Sequence, residues 1–353
     1  MNSRERCIRA IEREEVDMVP LNIWIETPEP LNSLMAHLGV EEYDRLLEAL
    51  GVDYRGGVGL NMVSIRLKGG FKERSYRGLG GRRLYRNMWG VVYAISSDGR
   101  TTMHVKHPLL EMELDEYPWP EVDEESIAQV EEARRRYEDY CLMGYTLQAF
   151  ETLCALFGYN AALRGLITGD KKVLKALDKL FEITFRQAEL LVEAGVDQVY
   201  NGDDVGAQTT MIISPATWRR YLKPYYQRLA YLVHKGGAFL HFHSDGWIEP
   251  IIPDLVEIGV DVLEPLQPEA MDPQRVKEAY GDKLSFEGAI SVQRTLPFGT
   301  PEEVAEEARE RLESLGPTGY ILRPSHAITP ETPVRNIIAL YEAANNYRRV
   351  GRR

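Results

Sequence analysis

The apolar run Phe239-Leu-His-Phe-His-Ser-Asp-Gly246 ends in two histidines and an aspartate just before a helical pattern begins. Residues two apart share one face of a strand, so His241 and His243 point the same way and Asp245 carries that face into the loop. Imidazoles beside a carboxylate suit a metal site or an acid/base site. Other short apolar runs end similarly. Glu151 follows Leu142–Phe150, Asp203 and Asp204 follow Tyr200-Asn-Gly202, Glu264 and Gln267 follow Val262-Leu263, Glu287 follows Phe286, and His326 follows Ile321-Leu322.

His243, Asp245 and His326 offer two imidazole nitrogens and one carboxylate, a ligand set that leaves positions open for water or substrate. The same groups also fit a metal-free polar mouth, hydrogen-bonded to Asp203 or Glu264. Asp203, Asp204 and Glu264 are the candidate acid/base or substrate-orienting groups, because adjacent like charges drive one pKa up. The pair Asp203-Asp204 fits equally well as a cap and turn before Gly206. His241, Gln267 and Glu287 are candidates for contacting a bound cofactor, although His241, deeper on its strand, also suits a packed and satisfied histidine.

Those groups need a scaffold that gathers strand ends at one mouth. Strand-like runs at Leu142–Phe150, Gln198–Asn201, Ala238–Phe242, Val260–Leu263, Leu284–Phe286 and Gly319–Leu322 alternate with helical segments at Lys171–Glu193, Pro215–His234, Trp247–Ile258, Pro273–Tyr280, Pro301–Leu315 and Pro333–Tyr347. Ser214-Pro215, Thr300-Pro301 and Thr332-Pro333 are helix starts, with a hydroxyl cap before a first-turn proline. Glycines at Gly195, Gly259 and Gly281 end helices directly before strands, as in the αβ turns of a parallel sheet. The expected fold is therefore α/β, a single (β/α)8 TIM-type barrel over residues 1–353. Asp17–Trp24 is the expected first strand, and the Gly- and Arg-rich stretch at about 55–120 an N-terminal insertion of short strands and loops. Arg74, Arg77, Arg82 and Arg83 in that insertion fit either a lid over an anionic ligand or a solvated loop.

The 353 residues are 44% hydrophobic and 27% charged, with a net charge of −12 spread along the helices, which argues against nucleic acid as a partner. Cys7, Cys141 and Cys154 form no metal-binding or disulfide spacing, and no apolar segment is long enough to span a bilayer. The N-terminus lacks the apolar core of a signal peptide, so a cytoplasmic protein without membrane association is expected.

Further motifs extend over nearly the whole chain. They include Arg9-Ala-Ile-Glu-Arg-Glu-Glu-Val-Asp17 with Pro20, Asn87-Met-Trp-Gly90, Tyr117-Pro-Trp-Pro120, Gly202-Asp-Asp204, Ile213-Ser-Pro215 and His243-Ser-Asp-Gly246. Gly259-Val-Asp-Val-Leu-Glu-Pro-Leu-Gln267, Tyr280-Gly-Asp282, Gly299-Thr-Pro-Glu-Glu-Val304, Gly319-Tyr-Ile-Leu322 and Thr332-Pro333 with Asn336 continue the series. With these motifs the chain resembles the uroporphyrinogen decarboxylase superfamily, and within it the branch of corrinoid-dependent methyltransferases. The resemblance implies methyl transfer between a corrinoid carrier and a small-molecule donor or acceptor. It also implies zinc or another divalent metal, and a corrinoid bound as substrate or carried by a partner protein. Members of that branch hold zinc through a His-x-Cys pair and a later cysteine; the matching positions here are His243, Asp245 and His326, so both thiolates are replaced by harder ligands. Decarboxylases carry an Arg-Gln-Ala-Gly-Arg segment after the first strand, where this chain has Trp24-Ile-Glu-Thr-Pro-Glu-Pro30. A tetrapyrrole decarboxylase and a non-catalytic corrinoid- or tetrapyrrole-binding protein are the alternatives, and a homodimer is one option for the assembly.

Overall fold

The computed structural model describes residues 1–25, 27–78, 81–97 and 102–350, with backbone only for 348–350. Six strands, Cys141–Tyr145, Gln198–Gly202, Phe239–His243, Val262–Leu266, Ser285–Ile290 and Tyr320–Pro324, pair in parallel in sequence order. Tyr54–Arg55 pairs on the other side of Cys141–Tyr145. The ring is closed at Leu21, which bridges Leu322 in parallel and whose carbonyl accepts the Asp53 N–H. This is the expected barrel, with helices between successive strands.

The expected first strand, Asp17–Trp24, contracts to that one bridge. Pro20 has no N–H to give a ladder, and only its carbonyl, accepting from Leu322, and the Asn22 N–H, donating to Leu322, take part. The run Leu142–Phe150 divides, its last two residues forming the start of a helix, Ala149–Phe157, that the continuous apolar pattern concealed. The expected helix Pro215–His234 is two, Pro215–Tyr221 and Lys223–Lys235, because Pro224 cannot donate back along the ladder. Lys171–Glu193, Pro273–Tyr280 and Pro301–Leu315 have their expected limits.

The insertion is a four-stranded antiparallel sheet, Arg74–Arg77, Arg83–Arg86, Val92–Ile95 and Thr102–Lys106, with a two-stranded ribbon of Leu67–Gly69 and Pro120–Val122 beside it. Arg74, Arg77 and Arg83 lie on these strands, exposed. Among the described residues, no helix is long and apolar enough to cross a membrane.

Strand alternation sorts the core into two layers. Leu240 and Phe242 turn outward, where Phe242 meets the helix residue Tyr226 edge-on with ring centroids 5.1 Å apart. His241 and His243 turn inward toward Tyr200, at 5.4 and 5.5 Å between centroids. Where a barrel interior is ordinarily filled with branched apolar side chains, this one holds Gln198, His241, His243, Glu264, Glu287 and Arg323, all buried. Such a layer is stable only if its members satisfy one another.

Candidate functional site

Arg323 sits at the centre of that layer with no exposed surface, paired with Glu264 and, at 3.2 Å from its Nε, with Glu287. Glu287 also accepts from the Asn22 amide at 2.9 Å, and burial pushes its carboxyl up to about 8. Glu264 reaches His243 Nδ1 with its other oxygen. Accepting the Nδ1 proton leaves Nε2 as the nitrogen facing outward, 3.5 Å from Asp204 Oδ1. Burial opposes a charge on His243, but the Asp204 hydrogen bond and the charges of Asp245 and Asp204 prevail and hold its pKa above the ordinary value.

Asp204, His243 and Asp245 bring their ligand atoms within 4.8 Å of one another. Three successive devices set this geometry. Register places Gly202 opposite His243 and His243 opposite Glu264, so two loops leave neighbouring strands side by side. The Asp245 N–H donates to Asp204 Oδ1 at 2.8 Å, tying those loops together. Gly246, with φ of +82°, then turns the chain against Ala207, where a Cβ would come within 2.6 Å of a carbonyl oxygen.

Asp204 is held below its usual range: burial acts against its charge, and the hydrogen bond from His243 and that residue's charge outweigh it. Burial holds Asp245 above its own range. Glu151, in the first turn of Ala149–Phe157, is pushed up to about 8 by burial and by Asp204 and Asp203, and shares a hydrogen bond with Asp204.

The other expected residues divide by their surroundings. Asp203 turns away from its neighbour Asp204, accepting the Phe150 and Glu151 N–H groups at 3.1 and 2.9 Å and the Tyr226 hydroxyl at 2.6 Å. It caps the helix that carries Glu151. His326 touches the cluster through Asp245, at 3.5 Å, and packs at a tilt against Trp24 with centroids 4.6 Å apart. The ligand cluster thus joins His243 and Asp245 to Asp204, with His326 at its edge. Gln267 is second-line support, its side-chain oxygen accepting the Gly246 N–H at 2.9 Å.

His241 donates its Nδ1–H to Gln198 Oε1, at 2.9 Å, and is kept neutral by burial and by the Arg323 charge. Its Nε2 stands 3.9 Å from Glu287 Oε2, and neither atom has a hydrogen-bond partner among the described residues. Neither Arg323 nor Trp24 stands out as a site residue in the sequence, and Glu151 does so only as a carboxylate following an apolar run. Arg323 follows Ile321-Leu322 directly, so a cation at a strand end facing carboxylates at two neighbouring strand ends was its available signal.

The model of the family described as uroporphyrinogen decarboxylase matches residues 96–347 of this chain. The chain belongs to the uroporphyrinogen decarboxylase family. Within that family it is similar to the methylcobamide:CoM methyltransferase MtaA of Methanosarcina barkeri, 30% identical over 174 residues, which are 49% of this chain and 48% of that one. It is also similar to the uroporphyrinogen decarboxylase of Coxiella burnetii, 26% identical over 180 residues, covering 48% and 46%. The matches span about half the length of these curated relatives. In fold it is similar to a methyltransferase from Methanosarcina mazei, with a TM-score of 0.69 and 20% identity over 98% of this chain and 99% of that one.

Proposed function

We propose that this family member is a metal-assisted methyltransferase moving a methyl group between a corrinoid carrier and a small molecule. The observation that carries the proposal is the cluster of Asp204, His243 and Asp245 with buried Glu264 behind the imidazole. A carboxylate on the far nitrogen of a histidine is the usual support of a ligating imidazole, because it fixes the tautomer and raises basicity. The donors fit a divalent cation, with one imidazole and two carboxylates from loops already tied together. Similarity to the methylcobamide:CoM methyltransferase supports the reaction class.

His243 Nε2, Asp204 and Asp245 would hold the ion, with His326 beside Asp245. When bound, such an ion supplies Lewis acidity that lowers the pKa of an acceptor thiol or hydroxyl. Glu264 keeps the imidazole oriented, and Arg323 pairs with the other oxygen of that carboxylate. Glu151, bonded to Asp204, is placed to exchange a proton with a group arriving beside that residue.

The test combines metal analysis of protein purified without chelator with a spectral assay of demethylation of methylcobalamin in the presence of a small thiol. One divalent ion per chain, lost on Asp204→Asn, and thiol-dependent demethylation are expected. Metal-free protein that leaves the methylcobalamin spectrum unchanged, even after zinc is added, overturns the proposal.

A further inference from the structure

Beside the triad, between the insertion sheet and the two helices after the strand Cys141–Tyr145, lies a cavity of about 330 Å³. Trp89 and Tyr93 line it from the insertion, Tyr159 and Glu151 from the barrel helices, and His104 from the last insertion strand. The wall is therefore aromatic on both sides, with a carboxyl group where it meets the triad. Glu151 belongs to both places, since it lines the cavity and hydrogen-bonds to Asp204.

The described lining contains no lysine or arginine, and His104 is held below its ordinary pKa by burial and by His107, so it brings no positive charge at neutral pH. Aromatic rings attract cations, and with no positive side chain in the described lining to oppose one, this wall favours a cation over an anionic molecule. A compact inorganic ion gains little from aromatic faces after losing its water, whereas an ammonium cloaked in methyl groups is weakly hydrated and matches both parts of the wall.

We infer that this cavity binds a methylated ammonium compound and presents its methyl groups to the triad. This rests on the proposed methyl transfer only for the use made of the ligand; binding itself needs neither metal nor corrinoid.

The inference is tested on the protein as purified, by titration calorimetry with choline and with its neutral isostere 3,3-dimethylbutan-1-ol. Choline should bind at least tenfold more tightly. Tyr159 is 44% exposed, so Tyr159→Leu should keep the fold and weaken choline binding roughly tenfold while leaving the isostere unaffected. Equal affinity for the two compounds, no choline binding, or choline binding indifferent to Tyr159→Leu overturns the inference. Choline binding with no methyl transfer leaves the cavity's assignment standing and removes the proposed function; methyl transfer without choline binding does the reverse.

Discussion

Asp203 and Asp204 are adjacent in the chain, yet their environments give them opposite work. Each carbonyl and side chain in an extended turn faces away from its neighbour's, so one carboxylate enters the helix layer and the other the mouth. Asp203 satisfies three donors, two of them orphan N–H groups of a helix start, and losing them leaves buried donors without partners. Asp203→Ala is expected to lower stability by about 2–4 kcal/mol on that ground, read as a shifted denaturation midpoint. Asp204→Asn should leave the midpoint within about 1 kcal/mol of the parent and abolish metal retention instead. Equal midpoints for the two variants would show that the cap does not matter. The sequence showed that acidic groups collect here but not which one turns inward, because that depends on the position of Tyr226 and of a helix start 53 residues upstream. Arg323 was hidden for a related reason: an arginine in a strand reads as exposed until two buried carboxylates from other strands are brought to it.

Elements with local signals were the most legible. Thr300-Pro-Glu-Glu303 reads as a capping box, and both of its hydrogen bonds are present. The helix Ala149–Phe157 was not legible, since its cap comes from Asp203, in another loop, and its apolar sequence continues that of the strand before it. The junction of helix Lys223–Lys235 with the strand that starts at Val262 offers a test of pairing between elements. His234, in the helix's last turn, sits 2.7 Å from Asp261 Oδ2, which also accepts the Leu240 N–H. The Asp261 hydrogen bond raises the His234 pKa against the effect of burial, and the helix C-terminus favours the same charge. A folded pKa above the unfolded value of about 6.5 gives stability that is full below that pH and lost as pH rises through the folded pKa. Because His234 is 42% exposed, solvent screening limits the effect to no more than about 1 kcal/mol. His234→Ala should therefore destabilise the protein more at pH 5.5 than at pH 8.5; a pH-independent difference would assign the residue to packing alone.

At the scale of the whole molecule, family membership leaves two reactions open, and the distribution of charge separates them. The barrel order followed from alternating patterns and helix stops, whereas closure through a single bridge at Leu21 did not, since its partner lies 301 positions further on, at Leu322. That closure places Trp24 against His326 and Arg323, with Asp245 near His326, in the mouth. Of the two glutamates in the segment that replaces the decarboxylases' arginines, Glu26 lies outside the described residues, and Glu29 is exposed in the first turn of the helix Pro28–Leu38. Stronger repulsion comes from within: Asp204 and Asp245 stand at the mouth, while Arg323 is spent on Glu264 and Glu287. Uroporphyrinogen carries many carboxylates, and holding them needs arginines fixed for bidentate contact. The exposed Arg74, Arg77 and Arg83 stand on the insertion strands, and pairing with a mobile substrate at an exposed surface gains little. Like charges about 4 Å apart repel by about 4 kcal/mol near a protein surface, enough to lower affinity nearly a thousandfold for each unrelieved pair. Anaerobic incubation with uroporphyrinogen is accordingly expected to yield no coproporphyrinogen, with or without added zinc. Efficient conversion would mean that the insertion arginines close over the mouth on binding, and the site would then belong to the decarboxylases of the family.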